Sequence, residues 1–228
     1  MTQTLKYTYK NSVKAISLTL ALTLANIALA GPLNINEPNR AIEQVDTLLF
    51  SEAEIDQMLA PIALYPDTLL THILIAATYP LEVIEASRLI AKNQNASEQE
   101  LFEQAALYDW DPSVKALIPF PRILENLSND IAWMTKLGDA FLQDESQVLA
   151  SIQNLRTKAD DAGNLSAMDN VKIVREQKVI IIEPAKPEII YVPYYDTRVV
   201  YGNWHWRTNP PVYWHRPYYS GPAYWNSS

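Results

Sequence analysis

Proline divides this chain more finely than any other residue. Between residues 51 and 130 it stands at 61, 66, 80, 112, 119 and 121. Proline lacks the backbone donor and clashes with the preceding turn, so a helix ends at it or begins with it. The body must therefore be short helices that turn sharply on one another, not a bundle of long rods.

The breaks carry matching start signals. Ser51-Glu52-Ala53-Glu54 and Ser97-Glu98-Gln99-Glu100 are capping boxes, in which the serine takes an orphan N–H and the glutamate reaches back. Asp67 is expected to cap a helix reaching about Thr78, and Asp111-Pro112 to start a short helix over 112–118. Pro80 suits the first position of a helix over 81–93, and Pro121 opens a turn or two to Leu127. Asn129 or Asp130, then Asp144, start the last two helices, and Gly163 is placed for a left-handed cap.

Apolar spacing gives the inward faces. Ile55, Met58, Leu59 and Ile62 form one stripe, and Leu69–Ala77 is apolar nearly all round, as a central helix should be. Leu81, Ile84 and Ile90 are expected inward, with Glu82, Glu85 and Lys92 toward water. Ile131, Met134, Leu137 and Phe141 make a further stripe, and Val148, Ile152 and Leu155 another.

From Val171 the pattern becomes β-branched, with strands expected at Val171–Val174, Val179–Ile182 and Ile189–Val192. Pro184-Ala185-Lys186-Pro187 reads as the hairpin connection, and Arg198–Tyr201 as a further short strand. The fold class is mainly α with a small C-terminal β region (α+β), an orthogonal bundle of short helices followed by a hairpin or small sheet.

The ends differ from this body. Residues 1–30 carry Lys6, Lys10 and Lys14, an apolar run from Ala15, and Ala28-Leu29-Ala30 before Gly31, the layout of a secretory signal peptide. The expectation is an exported protein, periplasmic or secreted, with no transmembrane helix after cleavage. Residues 31–50 read as a lead-in, 51–202 as the body, and 203–228 as an aromatic, proline-rich tail. Charge follows these divisions. The formal net charge of −8 averages a signal of +3, a strongly acidic stretch over 31–196, and a tail whose charges are Arg198, Arg207 and Arg216.

Several phrases carry a family likeness. They are Leu59-Ala60-Pro61-Ile62-Ala63-Leu64-Tyr65-Pro66-Asp67, Ala77-Thr78-Tyr79-Pro80-Leu81-Glu82-Val83, and Trp110-Asp111-Pro112-Ser113-Val114-Lys115-Ala116-Leu117 with Phe120-Pro121. Leu137-Gly138-Asp139-Ala140-Phe141-Leu142, Leu155-Arg156 with Gly163-Asn164-Leu165, and Ile182-Glu183-Pro184-Ala185 with Tyr191-Val192-Pro193 complete them. From about Ser51 to Gly202 the chain resembles a bacterial exported family known only as domain of unknown function 3300. The resemblance implies export and a helical body followed by strands. It brings no activity, substrate or catalytic residue.

The residues exclude much chemistry. There is no cysteine, so disulfides, thiolate metal sites and cysteine nucleophiles are absent. Five scattered glycines build no phosphate loop, and there is no Gly-x-Ser-x-Gly. His72 lies in the most apolar helix and reads as a core histidine; His205 and His215 make a poor metal site alone. No cofactor is implied, and the acidic balance argues against nucleic acid.

Two candidate sites remain. A glycan hydrolase needs two carboxyls across a cleft, and Asp67, Glu82, Asp109 and Asp111 sit beside proline turns. Asp67 and Asp111 are equally explained as helix caps. The other candidate is the tail, since residues 191–228 hold 12 of the chain's 23 aromatics. Trp204, Trp206, Arg207, Trp214, Arg216 and Trp225 form a possible binding surface for an envelope protein or glycan, or else fold back over the body. The reading is a non-catalytic binding or assembly module of the bacterial envelope; a glycan hydrolase and a structural spacer are the alternatives.

Overall fold

The computed structural model describes residues 50–186 and 189–214. The proposed signal peptide, nearly all of the lead-in, and Arg216 and Trp225 of the tail lie outside these residues. The order is α1 (Glu52–Leu59), α2 (Asp67–Ala76), α3 (Pro80–Lys92), α4 (Glu98–Ala105), α5 (Pro112–Ala116), α6 (Pro121–Asn129), α7 (Ile131–Gln143), α8 (Glu145–Asp161), β1 (Val171–Glu176) and β2 (Val179–Pro184). The protein is mainly α with one small β hairpin.

The start signals act as their chemistry dictates. Ser51 and Ser97 each close a capping box, and the captured serine groups hold Glu54 and Glu100 below the usual carboxylate range. Asp111, Asp130 and Asp144 cap α5, α7 and α8 with a side-chain oxygen on a backbone N–H. Proline holds the first position of α3, α5 and α6. Gly163 closes α8 at φ 76°.

Asp67 corrects the expectation of a cap. Pro66 holds the capping position, and the Asp67 carboxylate turns instead to Arg156, with Oδ1 2.6 Å from Nη2. An ion pair to a buried guanidinium outweighs one capping bond to a neutral amide.

α2 lies at the centre, touching α5, α7 and β2, while α1 packs on α8 and α3 on α6. α3 is rotated from the expected stripe. Val83 and Ala86 are buried, whereas Leu81 is 75% exposed. α3 packs on α6, and Ser87 Oγ meets Ser128 Oγ there at 2.9 Å. Likewise Ile131, at the first position of α7, is exposed, and Trp133 and Met134 point inward.

α7 passes very close to the end of α2. A β-carbon at Gly138 would lie 2.7 Å from the Ala77 carbonyl carbon and closer still to its oxygen. Backbone blocks the way, so relief requires the helices to separate. Gly138→Ala is expected to cost about 3 kcal/mol by overpacking. A urea titration followed by circular dichroism measures this; an unchanged midpoint would refute it.

The hairpin also departs from expectation. β1 and β2 pair antiparallel from Val171↔Pro184 to Glu176↔Val179, so the turn is Gln177-Lys178, with Gln177 at φ 53°. A two-residue turn of that sense matches strand twist. Pro184 lacks a ladder donor, and residues 189–192 contribute a single bridge, Lys186↔Ile189, instead of a third strand. Arg198–Tyr201 is a turn, not a strand, with the Val199 and Val200 amides bonded to the Asp196 carbonyl.

A two-stranded sheet is marginal in water. Here Ile180 and Ile182 are buried, and Gln153 of α8 brackets Ile180, accepting from its N–H at 2.8 Å. Beyond β2 the chain crosses back over the body. Tyr195 and Tyr201 both donate to the Ala60 carbonyl, at 3.0 and 2.5 Å. Burial pushes the phenols of Tyr65, Tyr195 and Tyr201 up, so all three stay protonated, as the two that donate to Ala60 must be.

Candidate functional site

The α2–α3 corner and the segment before α5 enclose an open cleft of about 540 Å³. Proline punctuation makes it. Tyr79-Pro80 turns the chain by 112° between α2 and α3, and Asp111-Pro112 fixes the opposite wall. Glu82 and Glu85, one turn apart on α3, reach across to that wall. Glu82 Oε2 accepts the Asp111 N–H at 2.7 Å, and Glu85 Oε2 accepts the Trp110 indole N–H at 2.9 Å. Both were expected to face water; they face the cleft because backbone and indole donors lie there.

Trp110 is buried, and Tyr108 lies over it with ring centroids 4.2 Å apart and planes at 16°. The outer ring is 42% exposed, and Tyr79 and Leu81, which share the lining, are exposed as well. This is an aromatic platform beside carboxylates.

Of the four carboxyls expected for a hydrolase, Glu82 and Asp109 line this cleft, and Asp111 stands behind its wall. Asp111 Oδ1 is engaged by the Ser113 N–H and hydroxyl, at 2.8 and 2.5 Å. Asp67 sits at the other end of α2, about 15 Å of helix away. There it borders a smaller cavity of about 170 Å³ with Arg156 and Leu149.

The tail aromatics occupy a different place. The Trp206 indole donates to Asp56 Oδ2 at 2.8 Å, and the Trp204 indole to the Asn209 carbonyl at 2.7 Å. Trp214 packs edge-on against Trp133, centroids 5.3 Å apart, and beside Tyr65. The Val212 N–H bonds to the Gln57 carbonyl, and the Gln57 amide to the Pro210 carbonyl. The segment therefore folds back along α1. Arg207 remains exposed, and Arg198 stacks over Tyr213 at 4.3 Å while pairing with Asp196.

Two charged residues escaped the sequence reading. Asp56 is fully buried, with Ser151 Oγ donating to Oδ1 and His205 Nε2 3.4 Å from Oδ2. Arg156 is 1% exposed and donates to the carbonyls of Ala63, Tyr65 and Ile180. The signal was position. Asp56 neighbours Ile55 and precedes Leu59 by three, and Arg156 follows Ile152 by four, so both fall on inward stripes.

His72 is half-buried, and burial holds its imidazole below the ordinary range. Among the described residues no three acidic or histidine side chains gather to hold a metal ion, and no single helix is long and apolar enough to cross a membrane.

The model of a protein family of unknown function, DUF3300, matches residues 51–228. The chain is also similar to the uncharacterized protein YacH of Escherichia coli (strain K12), at 35% identity over 196 residues. That alignment covers 72% of this chain and 32% of YacH, so the chain spans about a third of that relative. No solved structure matches. The chain belongs to the DUF3300 family.

Proposed function

We propose that this member of the DUF3300 family is an exported, non-catalytic binding or assembly module of the bacterial envelope. Its contact surface is the cleft between α3 and residues 108–110. One observation carries this reading: the cleft exposes aromatic and aliphatic groups, while the carboxylates of its wall already support the structure. Exposed Tyr and Leu around a concave opening are what a partner covers. Trp204, Trp206 and Trp214 contribute to the body's own packing, which favours the cleft over them. Export rests on the layout of residues 1–30.

Glu82 and Asp109 share this cleft, which is the one observation on the side of a glycan hydrolase. Against it, Glu82 is already engaged as the acceptor of the Asp111 N–H, and Asp109 is exposed on the rim with no second carboxyl among the described residues shown facing it across a bound substrate's width.

A photo-crosslinking residue in place of Tyr108 is expected to give one discrete adduct in living cells. The same residue in place of Val179, exposed on the hairpin, should give none. Equal labelling, or no adduct at Tyr108, would overturn the reading. Release of reducing ends from peptidoglycan, abolished by Glu82→Gln, would replace it with hydrolysis.

A further inference from the structure

Resting on that reading of the cleft, we infer the chemistry of its occupant: an arginine-bearing extended segment of a partner protein. The argument begins with the polar groups. Glu82, Glu85 and Asp109 line the cleft, and no lysine or arginine does. The side-chain donors of the same walls, tyrosine hydroxyls apart, are spent within the protein, as is the Asp111 N–H. The Trp110 indole serves Glu85, the Asp111 N–H serves Glu82, and the Thr78 hydroxyl donates to the Ile75 carbonyl at 2.7 Å. Apart from tyrosine hydroxyls, the polar side-chain groups free to meet a ligand here are the carboxylates of Glu82, Glu85 and Asp109.

A cationic donor complements these side chains. A guanidinium has five donors and no acceptor. It is planar, and stacks on an aromatic face while its edge meets carboxylates. Tyr108 supplies such a face, since Trp110 covers the ring's other side. Glu82 and Glu85 each hold their wall through Oε2, and their Oε1 atoms have no partner among the described residues. Leu81, 75% exposed, lines the opening and suits an apolar neighbour of the arginine in an extended segment.

Titration calorimetry on protein purified from cells expressing the full chain tests this. The probes are tetra-arginine amide, its uncharged citrulline counterpart, and chitotetraose. Tetra-arginine is expected to bind and the citrulline peptide to bind at least tenfold more weakly. Asp109→Asn and Glu85→Gln should each weaken tetra-arginine about fivefold, the scale of a partly solvated ion pair. Glutamine retains the acceptor that Trp110 uses, so the wall survives. Tyr108→Ala should weaken it similarly, and Asp139→Asn, an exposed charge on α7, should not. If Asp139→Asn matters equally, attraction is to overall charge and the inference fails. If chitotetraose binds through Tyr108 independently of Asp109, the cleft is a sugar platform and the inference fails. Should tetra-arginine not bind while Tyr108 still crosslinks in cells, the binding-module reading stands without it. Loss of both removes both.

Discussion

Replacing Arg156 by methionine is expected to lower the stability of the fold by about 3–5 kcal/mol, the largest effect of any single change outside the packed apolar core. The guanidinium is 1% exposed and each of its nitrogens is engaged. Nε donates to the Ala63 carbonyl at 2.9 Å, Nη1 to Ile180 at 2.8 Å, and Nη2 to Tyr65 at 3.1 Å and Asp67 at 2.6 Å. One side chain of α8 thus holds the irregular 60–66 turn, the start of α2 and the edge of the hairpin. Methionine fills much of the volume but leaves three carbonyls without that donor, each costing about 1–3 kcal/mol if unsatisfied.

Asp67→Asn separates the causes. Asp67 is 43% exposed, so losing its charge should cost only about 1 kcal/mol. If Asp67→Asn matches Arg156→Met, the ion pair and not the carbonyl network carries the stability. If Arg156→Met costs under about 1 kcal/mol, solvent or a rearranged turn replaces the network. Urea midpoints at constant slope give both numbers.

The difference between these two residues also shows what could be read in advance. Proline positions, capping boxes and Asp-Pro starts are local chemistry, so helix beginnings are legible from neighbouring residues alone. Asp67 failed because its alternative partner lies 89 positions away on α8, and no local rule contains that distance. The hairpin was misplaced for a related reason: Val171–Val174, Val179–Ile182 and Ile189–Val192 look alike as strands, and pairing is settled by which edge α8 can cover. For the cleft, Glu82 and Asp109 were named but not joined, because the 112° corner that brings them together is a tertiary fact. Glu85 was assigned to water by its periodicity. The Trp110 indole, 25 residues on, draws it into the wall.

Asp56 is the second residue whose removal should be severe, and its effect has a place as well as a size. Its carboxylate is fully buried and receives the Ser151 hydroxyl and the Trp206 indole. Asp56→Ala orphans both donors at once and is expected to cost about 2–4 kcal/mol, since hydrogen bonds to a charged group are worth roughly twice neutral ones. Trp206→Phe leaves Ser151 as a donor and should cost about half as much. The two sites share a bond, so the double variant should be more stable than the sum of single losses predicts, by about 1 kcal/mol or more. Local release distinguishes this bond from general destabilisation. Residues 203–214 reach the body through Trp206, the Gln57 contacts and Trp214, so freeing Trp206 exposes the chain around Arg207. Trypsin under native conditions should then cut after Arg207 faster in Asp56→Ala and Trp206→Phe alike, while Gly138→Ala, which disturbs α7 and α2, should change that rate far less at matched global stability. Additive losses, or cleavage that simply tracks global stability, would mean that the segment is held by its apolar contacts and that Asp56 serves α1 and α8 alone.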